Sequence, residues 1–468
     1  MIYHHLYEKY KRNQSIKAGI IGAGQYGTAV ITQSMYNPLL DIPIIADQSL
    51  KVAKRAYQYA GIDADDIIET DSYEKALQAI ENRKYVIVQD PHILMKLPLD
   101  VVAEATGVPE AGAVYGYEAI KNGKHVAMIN KETDSAIGPI LHHLAQKAGL
   151  VYTPVDGDQH GLLMGLVAWA RGIGLEVISA GKARDAEFIY DPSLKTVTCE
   201  ADGKTVMETT IAELSKEEEV YVKPMPDNKV KEYFTARKKI LSVLKAAGDF
   251  DLCELQIAAN ATGLAPEIPL TYQPAVRTSE IPKVLCLEED GGILSKKGVI
   301  DVVTCLREGH EAGLGGGVFI VVSCENDYSR HILTTKGLLS NRNQKAALIY
   351  RPYHLCGVET STSLLCAALL GISTGCETYL PTYDLVKTVQ RDMKKGEVLE
   401  GDYTSDLKAS IIPAAKRGDN IPIPAHLLNG NRLTRDVQAG TILTYDMVQQ
   451  PEQSMLWKLR LEQERQFL

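Results

Sequence analysis

The stretch KAGIIGAGQYGTA, Lys17–Ala29, decides the fold of this chain. The apolar run Ala18–Ile21 predicts a buried strand, and the residues after the stretch are typical of a helix. Gly22, Gly24 and Gly27 stand between them with the spacing G-x-G-x-x-G. The first glycine permits a tight turn, the second lets a pyrophosphate approach the backbone, and the third lets the helix pack closely on the strand. Because the unpaired N–H groups at the helix N-terminus would face the phosphates, the stretch predicts a dinucleotide site.

An acidic residue follows at the distance that such a site requires. The next apolar run, Ile42–Ala46, ends in Asp47, about 20 residues beyond Gly27, where a carboxylate can accept hydrogen bonds from ribose hydroxyls. This context favours a cofactor site over the alternative, a purely structural turn in an α/β sheet. The Asp47 carboxylate would repel a 2′-phosphate and so favours NAD. Three basic residues just after it would compensate for that phosphate in NADP: Lys51, Lys54 and Arg55. We therefore expect NAD or NADP, with NAD slightly favoured.

Strands and helices alternate through the first part of the chain. Six strands are predicted, over residues 18–21, 42–46, 85–89, 101–104, 125–129 and 151–153. The alternation predicts an α/β fold with a doubly wound parallel sheet of the Rossmann type, whose ligands bind beyond the carboxyl ends of the strands. The residues expected to contact the cofactor lie in the glycine loop or at those strand ends: Gly22, Gly24, Gln25, Tyr26, Gly27, Asp47, Thr106, Gly107 and Asn130.

The composition is that of an ordinary soluble protein. Its 468 residues allow two or three domains, and 45% hydrophobic and 23% charged residues are typical of globular chains. A formal charge of −9 argues against non-specific nucleic-acid binding, and no apolar run has the length of a membrane span. The N-terminal residues lack the apolar run of a signal peptide. The eight cysteines form no C-x-x-C pair, so we expect mostly buried thiols and a cytoplasmic location. The expected partners are a small-molecule substrate and further copies of the chain in a homo-oligomer, with no nucleic acid and no membrane.

The pattern of residues changes after the sixth predicted strand. We expect a Rossmann domain over 1–155, an α+β catalytic domain over 156–380, and a small β-rich module with a terminal helix over 381–468. The charged segment Asp185–Asp249 is typical of a surface excursion or a lid. Asp251–Thr262 predicts a helix.

A series of motifs resembles a known family. In chain order they are GDQHG (157–161), SAGKA (179–183), ANATGLAPEI (259–268), EEDGGILSKKGVIDV (288–302), YRPYHLCGVET (350–360) and LTRDVQAGTILTYDMV (433–448). Their order and spacing resemble the 1-deoxy-D-xylulose 5-phosphate reductoisomerase-like oxidoreductases, and the last motif resembles the SAF module of that family. The N-terminal half, with Asn130-Lys131 after its fifth predicted strand, is similar to the Rossmann domain of homoserine dehydrogenases.

The resemblance implies an NAD(P)-dependent enzyme with a catalytic domain after the Rossmann fold. One activity of that family is the reductive isomerisation of 1-deoxy-D-xylulose 5-phosphate. The implied substrate class for this chain is a small hydroxylated sugar phosphate or sugar acid. Two alternatives remain open: a homoserine dehydrogenase-like enzyme, and a binding protein that senses NAD(P) without turnover.

Hydride transfer needs a group that moves the accompanying proton and polarises the substrate oxygen. Lys182, near the end of an apolar strand, is the first candidate, because partial burial would lower the pKa of its ammonium group. The alternative is a solvated lysine at the end of a strand. Asp158 would orient that lysine or act as a base, or it simply forms a turn. Lys131 is the third candidate, with a role at the cofactor edge as the alternative.

Six polar residues are expected to bind the substrate: Asn260, Thr262, Ser295, Lys296, Arg351 and His354. Asn260 and Thr262 would contact substrate hydroxyls or cap the end of their helix. Ser295 and Lys296 follow a glycine pair and suit a phosphate or carboxylate, with a solvated turn as the alternative. The Arg351 guanidinium suits an acid group, whereas His354 beside an apolar helix favours a structural role.

The use of a metal stays open. His142 and His143 are adjacent, so on a helix they point in different directions, and no H-x-x-x-H motif occurs. The reductoisomerases that the motifs resemble use a divalent cation. Asp158 is the candidate carboxylate ligand for such a cation in this sequence.

Overall fold

The computed structural model describes residues 2–12, 15–200, 211–244, 250–400 and 404–468. Contacts between residues divide the chain into two compact units. Unit one comprises Met1–Gly161, Leu355–Gly401 and Ala414–Leu468, and unit two comprises Leu162–His354 and Asp402–Pro413. Each unit therefore combines segments that are distant in sequence.

The centre of unit one is a seven-stranded sheet. Its strands are β1 (Ile16–Ile21), β2 (Leu40–Ala46), β3 (Ile67–Glu69), β4 (Tyr85–Val88), β5 (Val101–Glu104), β6 (His125–Met128) and β7 (Tyr152–Pro154). They lie in the order β3-β4-β2-β1-β5-β6-β7, and all neighbouring pairs are parallel. This confirms the predicted doubly wound parallel sheet. The prediction missed β3, because three residues are too short for a periodic pattern.

Helices connect these strands. They are α1 (Ile2–Lys11), α2 (Gln25–Ser34), α3 (Leu50–Tyr59), α4 (Tyr73–Glu81), α5 (Pro91–Lys96), α6 (Pro109–Lys121), α7 (Lys131–Lys147) and α8 (Gln159–Gly172), the last of which continues into unit two. Ser49 and Ser72 cap α3 and α4, since their hydroxyl oxygens accept from Val52 N and Lys75 N at 3.4 Å. The apolar residues of the strands, among them Ile20, Ile45 and Ala103, are fully buried and form the core.

Unit two is built on a mixed sheet. Its strands are β8 (Glu176–Ala183), β9 (Glu187–Asp191), β10 (Thr196–Glu200), β11 (Ile211–Glu213), β12 (Ala275–Val276), β13 (Val299–Glu308), β14 (Val318–Ser323), β15 (Leu339–Ser340) and β16 (Ala347–Arg351). They follow the order β11-β10-β9-β13-β8-β14-β16-β15, with β12 paired to β13. The helices are α9 (Glu219–Val222), α10 (Val230–Ile240), α11 (Phe250–Thr262), α12 (Ile281–Val284) and α13 (Asp327–Thr335).

The segment expected to be a surface excursion or lid is part of this sheet. β9 pairs with β13, and alternate side chains such as Phe188, Tyr190 and Val197 are buried in a core cluster. The expectation is therefore wrong for these strands, because buried residues alternate with charged ones and lower the average hydropathy. The parts of that segment over 201–210 and 245–249 lie outside the described residues.

The C-terminal quarter contains α14 (Ser361–Leu365), β17 (Tyr383–Val389), β18 (Leu407–Pro413) and α15 (Met455–Phe467). In unit one, antiparallel bridges such as Met393–Val437 and Leu433–Val448 form short β structure, as expected for the β-rich C-terminal region. α15 packs on α6 and α7, where Glu110 accepts from Met455 N at 2.6 Å. By contact, residues 355–401 and 414–468 cluster with the parallel sheet, whereas β18 belongs to unit two. The division into three domains stays a prediction.

Candidate active site

The glycine loop joins β1 to α2 at the carboxyl edge of the parallel sheet. Gly22 has a φ of 93°, and a Cβ there would lie 2.7 Å from the carbonyl oxygen of Ala105. A Cβ on Gly27 would lie 2.2 Å from the carbonyl oxygen of Gly22, so a side chain would push α2 away from β1. A Cβ on Gly24 would meet no described atom within 4 Å, so this side of the loop is open to a ligand. The loop thus has the backbone geometry that a dinucleotide site requires.

Asp47 follows β2 and binds the glycine loop from the side. Its Oδ2 accepts a hydrogen bond from Ala23 N at 2.7 Å, and its Oδ1 accepts one from Ser49 N at 2.7 Å. Each carboxylate oxygen has a second lone pair, so both can still accept from ribose hydroxyls. Lys54, one of the three residues that would compensate for a 2′-phosphate, forms an ion pair with Glu69 at 3.0 Å.

A second loop, Thr106–Val108, follows β5 at the same edge. Asn130 Nδ2 donates to Thr106 Oγ1 at 3.2 Å and to the carbonyl oxygen of Val108 at 3.1 Å. Asn130 also caps α7, since its Oδ1 accepts from Thr133 N at 3.2 Å. Gly107 is exposed at the tip of the loop, with a φ of 67°. The structure therefore brings Thr106, Gly107 and Asn130 together, with Asn130 buried behind the loop.

Glu104 lies beneath this second loop, and sequence reasoning missed it. Its side chain is fully buried, and its Oε1 accepts from Thr106 N at 3.1 Å. Burial raises the pKa of Glu104 to about 7, against the opposing effect of hydrogen bonds with Thr106 and Asn130. The available signal is an acidic residue that ends an otherwise apolar strand, Val101–Glu104.

Gln25 and Tyr26, the other two residues predicted in the glycine loop, differ in exposure. Gln25 is exposed at the start of α2. The Tyr26 hydroxyl lies 2.9 Å from Thr360 Oγ1, which donates to the carbonyl oxygen of Asp156 at 2.8 Å. Burial raises the pKa of Tyr26 well above its ordinary value. Tyr26 therefore links the glycine loop to the start of α14, and its predicted contact with the cofactor stays a prediction.

Asp158, at the start of α8, belongs to a buried polar group in unit one. Its Oδ1 accepts from Gln159 N at 2.8 Å and lies 3.7 Å from His160 Nδ1. The nearby carboxylate of Asp134 accepts from the hydroxyl of Tyr152 at 2.6 Å, and burial raises the pKa of Asp134 to about 6. Lys131 is half-buried at the first position of α7.

Lys182 is buried within β8, with 1% of its surface exposed. Its neighbours across the sheet are Val302 and Val318. Its Nζ lies 2.9 Å from Asp251 Oδ1 and contacts Glu254 Oε2 still more closely. The alternative of a solvated lysine is therefore wrong. Two carboxylates hold the ammonium group where water is excluded, an arrangement that stabilises its charged form.

Asp251 and Glu254 are site residues that sequence reasoning missed. Both are buried on α11, three positions apart, so they present their carboxylates to the same side of the helix. An acidic pair at this spacing in an otherwise apolar helix is the signal that the sequence offers. The distance of 72 residues between Lys182 and Glu254 hides their pairing.

Further charged groups surround this ion pair in unit two. Arg184 Nε lies 3.6 Å from Asp251 Oδ2, and its terminal nitrogen donates to Gln273 Oε1 at 2.7 Å. Burial raises the pKa of Asp185, partly offset by the charges of Lys182 and His354. We call Lys182, Arg184, Asp185, Asp251 and Glu254 the lysine cluster. It concentrates ionisable groups at one end of β8, as catalytic sites do.

The six predicted substrate residues have different surroundings. Asn260 is buried on α11, whereas the hydroxyl of Thr262 donates to the carbonyl oxygen of Ala258 at 2.6 Å, which favours the helix-end alternative for Thr262. Ser295 and Lys296 are both exposed. The Arg351 guanidinium stacks over Tyr353 at 4.8 Å.

His354, the sixth of these residues, interacts electrostatically with Asp185 of the lysine cluster. Its Nδ1 is 2.6 Å from the carbonyl oxygen of Gly316, so this nitrogen carries the proton.

The described residues contain neither a metal-binding group nor a membrane-spanning helix. No group of three or more His, Cys, Asp or Glu side chains in that part of the chain is arranged to hold a metal ion. None of its helices has the length and apolar character needed to cross a membrane.

Residues 157–360 match the family model described as "Oxidoreductase DRL, catalytic domain". The matched range contains all five residues of the lysine cluster. No curated protein matches the chain.

Several solved structures are similar in part. The 1-deoxy-D-xylulose 5-phosphate reductoisomerase of Zymomonas mobilis in complex with NADPH is 18% identical, with a TM-score of 0.28, over 37% of this chain and 46% of that one. An NAD binding oxidoreductase of Klebsiella pneumoniae is 19% identical, with a TM-score of 0.26, over 37% and 43%. The scyllo-inositol dehydrogenase of Lactobacillus casei with bound NAD(H) is 13% identical, with a TM-score of 0.25, over 38% and 46%. Each similarity covers less than half of the solved chain.

Proposed function

We propose that this protein is an oxidoreductase that uses NAD or NADP. The observation that carries the proposal is the glycine loop of unit one. The backbone of Gly22 is in the left-handed region, and a carbonyl oxygen occupies the place that a side chain on Gly27 would take. A side chain on Gly24 would meet no described atom within 4 Å. The match of residues 157–360 to an oxidoreductase catalytic domain supports it independently.

Residues of unit one would hold the dinucleotide. The N-terminus of α2 would face the pyrophosphate, and Asp47 would accept from the ribose hydroxyls of the adenosine half. The negative charge of Asp47, together with the pairing of Lys54 to Glu69, favours NAD over NADP. When bound, the nicotinamide ring supplies or accepts a hydride.

Lys182 would move the proton that accompanies the hydride. In the reductive direction, its ammonium group would donate a proton to the substrate oxygen as the carbonyl carbon receives the hydride. Glu254 contacts Nζ and would hold the ammonium group in position for this step. Asp158 and Lys131 remain alternative candidates for this role.

The substrate class follows from the resemblance of the motifs. We infer a small hydroxylated sugar phosphate or sugar acid, with reductive isomerisation as a possible part of the reaction. Exposed Lys296 and half-exposed Arg351 would bind its acid group. A homo-oligomer in the cytoplasm, and a SAF module in the C-terminal tail, are parts of the same proposal.

The first test is equilibrium titration of the purified protein with NAD, NADH, NADP and NADPH, followed by nicotinamide fluorescence. We expect binding of at least one pair, and loss of that binding in Gly24→Val, whose side chain would occupy the open side of the loop. Absence of binding in the parent protein would overturn the proposal.

The second test is turnover with sugar phosphates, sugar acids, polyols and homoserine, followed by absorbance of the reduced nicotinamide. Homoserine as the best substrate would favour the dehydrogenase alternative. Cofactor binding without turnover of any compound would indicate a sensor of the dinucleotide instead, whereas an enzyme should lose most of its rate in Lys182→Met and keep its affinity for the cofactor.

A further inference from the structure

Glu104 occupies a specific position in unit one. It ends β5, and Ile21, the last residue of β1 before the glycine loop, is its neighbour across the sheet. Its side chain points under the Thr106–Val108 loop, where Oε1 accepts from Thr106 N at 3.1 Å. A fully buried carboxyl group thus lies directly beneath one edge of the proposed dinucleotide site.

Hydrogen bonds with Thr106 and Asn130 offset only part of the cost of burying a negative charge on Glu104, because burial has the larger effect. The Oε2 of Glu104 has no hydrogen bond of normal geometry among the described residues. A Cβ on Gly112 would come within 2.9 Å of this oxygen and of Asn130 Nδ2, so the packing leaves no room for another side chain there. Glu132 on α7 interacts electrostatically with Glu104, as does Tyr115 on α6, and neither is a cation at neutral pH.

The two halves of a dinucleotide would lie on opposite sides of β1. Asp47 marks the adenosine side at the end of β2, and the N-terminus of α2 marks the pyrophosphate. The nicotinamide half would therefore lie on the other side, near the loop that Glu104 supports. The oxidised nicotinamide ring carries a positive charge, whereas the reduced ring is neutral.

We propose that Glu104 makes the protein select between the oxidised and the reduced dinucleotide according to pH. The inference rests on the proposed function. The ionised carboxylate attracts the positive ring of the oxidised form, and the protonated carboxyl group does not distinguish the two forms. Since burial places the pKa of Glu104 at about 7, this change falls near neutral pH. By linkage, binding of the oxidised form favours ionisation and releases a proton.

The experiment measures Kd for the oxidised and reduced forms of the same dinucleotide between about pH 6 and about pH 8, the range in which a group with this pKa titrates. The ratio Kd(reduced)/Kd(oxidised) removes effects of the phosphates, which both forms share. We expect the ratio to rise about tenfold with pH in the parent protein, the scale of the Coulomb attraction between a buried carboxylate and a neighbouring cation. In Glu104→Gln the ratio should be low and independent of pH.

Glu132→Gln is the matched control, because it removes a neighbouring carboxylate but leaves the buried one. It should keep the rise of the ratio with pH. Calorimetric titration in two buffers of different ionisation enthalpy adds a measurement that needs no variant. At neutral pH we expect a fraction of a proton to be released when the oxidised form binds, and none when the reduced form binds.

The outcomes separate the two proposals. A ratio that does not change with pH in the parent protein, or one that still rises in Glu104→Gln, would overturn the assignment to Glu104 while dinucleotide binding stands. A protein that binds neither form overturns the proposed function as well.

Discussion

The glycine loop and the lysine cluster are built in opposite ways. The loop consists of backbone, and its partner Asp47 lies 24 residues from Ala23 along the chain. The lysine cluster consists of charged side chains, and Lys182 is 72 residues from Glu254. The loop depends on the absence of side chains at three positions. The cluster depends on the mutual compensation of buried charges, so the two regions should respond differently to substitution.

Lys182→Met should have the largest effect. It removes the ammonium group that the buried carboxylates of Asp251 and Glu254 both contact, while Arg184 still lies 3.6 Å from Asp251, and this should cost about 3–5 kcal/mol of unfolding free energy. Turnover should fall by about 10²–10⁴-fold with loss of the proposed proton donor. Chemical denaturation and steady-state kinetics measure the two effects.

Lys297→Met is the matched control for this variant. Lys297 also forms an ion pair, with Glu176 at 2.6 Å, but both side chains are about 40% exposed. Its loss should cost less than about 1 kcal/mol and leave turnover unchanged. Equal costs for the two lysines would contradict the view that the Lys182 pair is a tightly coupled buried group.

Two substitutions in the glycine loop should separate folding from binding. Gly27→Ala places a Cβ 2.2 Å from the Gly22 carbonyl oxygen. We expect the free energy of unfolding to fall by about 2 kcal/mol or more, and the affinity for the dinucleotide to fall with it. Gly24→Ala meets no described atom within 4 Å, so stability should change by less than about 1 kcal/mol while affinity falls. Thermal unfolding and fluorescence titration of both variants measure this difference. A Gly24→Ala protein with full affinity would show that the ligand does not approach the loop there.

The smallest expected effect is a change of cofactor preference. Asp47→Asn removes the charge that opposes a 2′-phosphate, so the preference for NADP over NAD should rise by about tenfold. Asp71→Asn is the control, because Asp71 binds the backbone N–H of Gln89 at 2.8 Å in a similar manner at the end of β3. It should leave the preference unchanged. The ratio of the two dissociation constants is the measurement.

Local sequence was sufficient to predict the first region. The spacing of Gly22, Gly24 and Gly27 predicted the strand, turn and helix that the structure contains, and Asp47 follows at the expected distance and binds the loop. The parallel sheet also followed from the alternation of strands and helices, apart from the three-residue β3. Thr106, Gly107 and Asn130 were predicted from their positions at strand ends, and the structure brings them together.

Long-range pairing limited the prediction for the second region. Lys182 was selected from its place near the end of an apolar strand, but nothing near it in sequence identifies Asp251 and Glu254 as its partners. Glu104 was missed for a different reason, because a single acid in a buried strand has no periodic signal. In both cases the decisive property is burial of a charge, which depends on the assembled fold.

The discontinuity of unit one has a consequence for how the protein is made. β1 is synthesised more than 300 positions before Thr360 and the other C-terminal residues that complete unit one. The segment Leu162–His354 of unit two is synthesised in between, so it is available to fold while the first sheet still lacks its C-terminal cover. The α/β sheet therefore stays incomplete, and exposed to aggregation, while residues 162–354 are synthesised. A fragment that stops after β7 would expose the surface of α6 and α7 on which α15 packs.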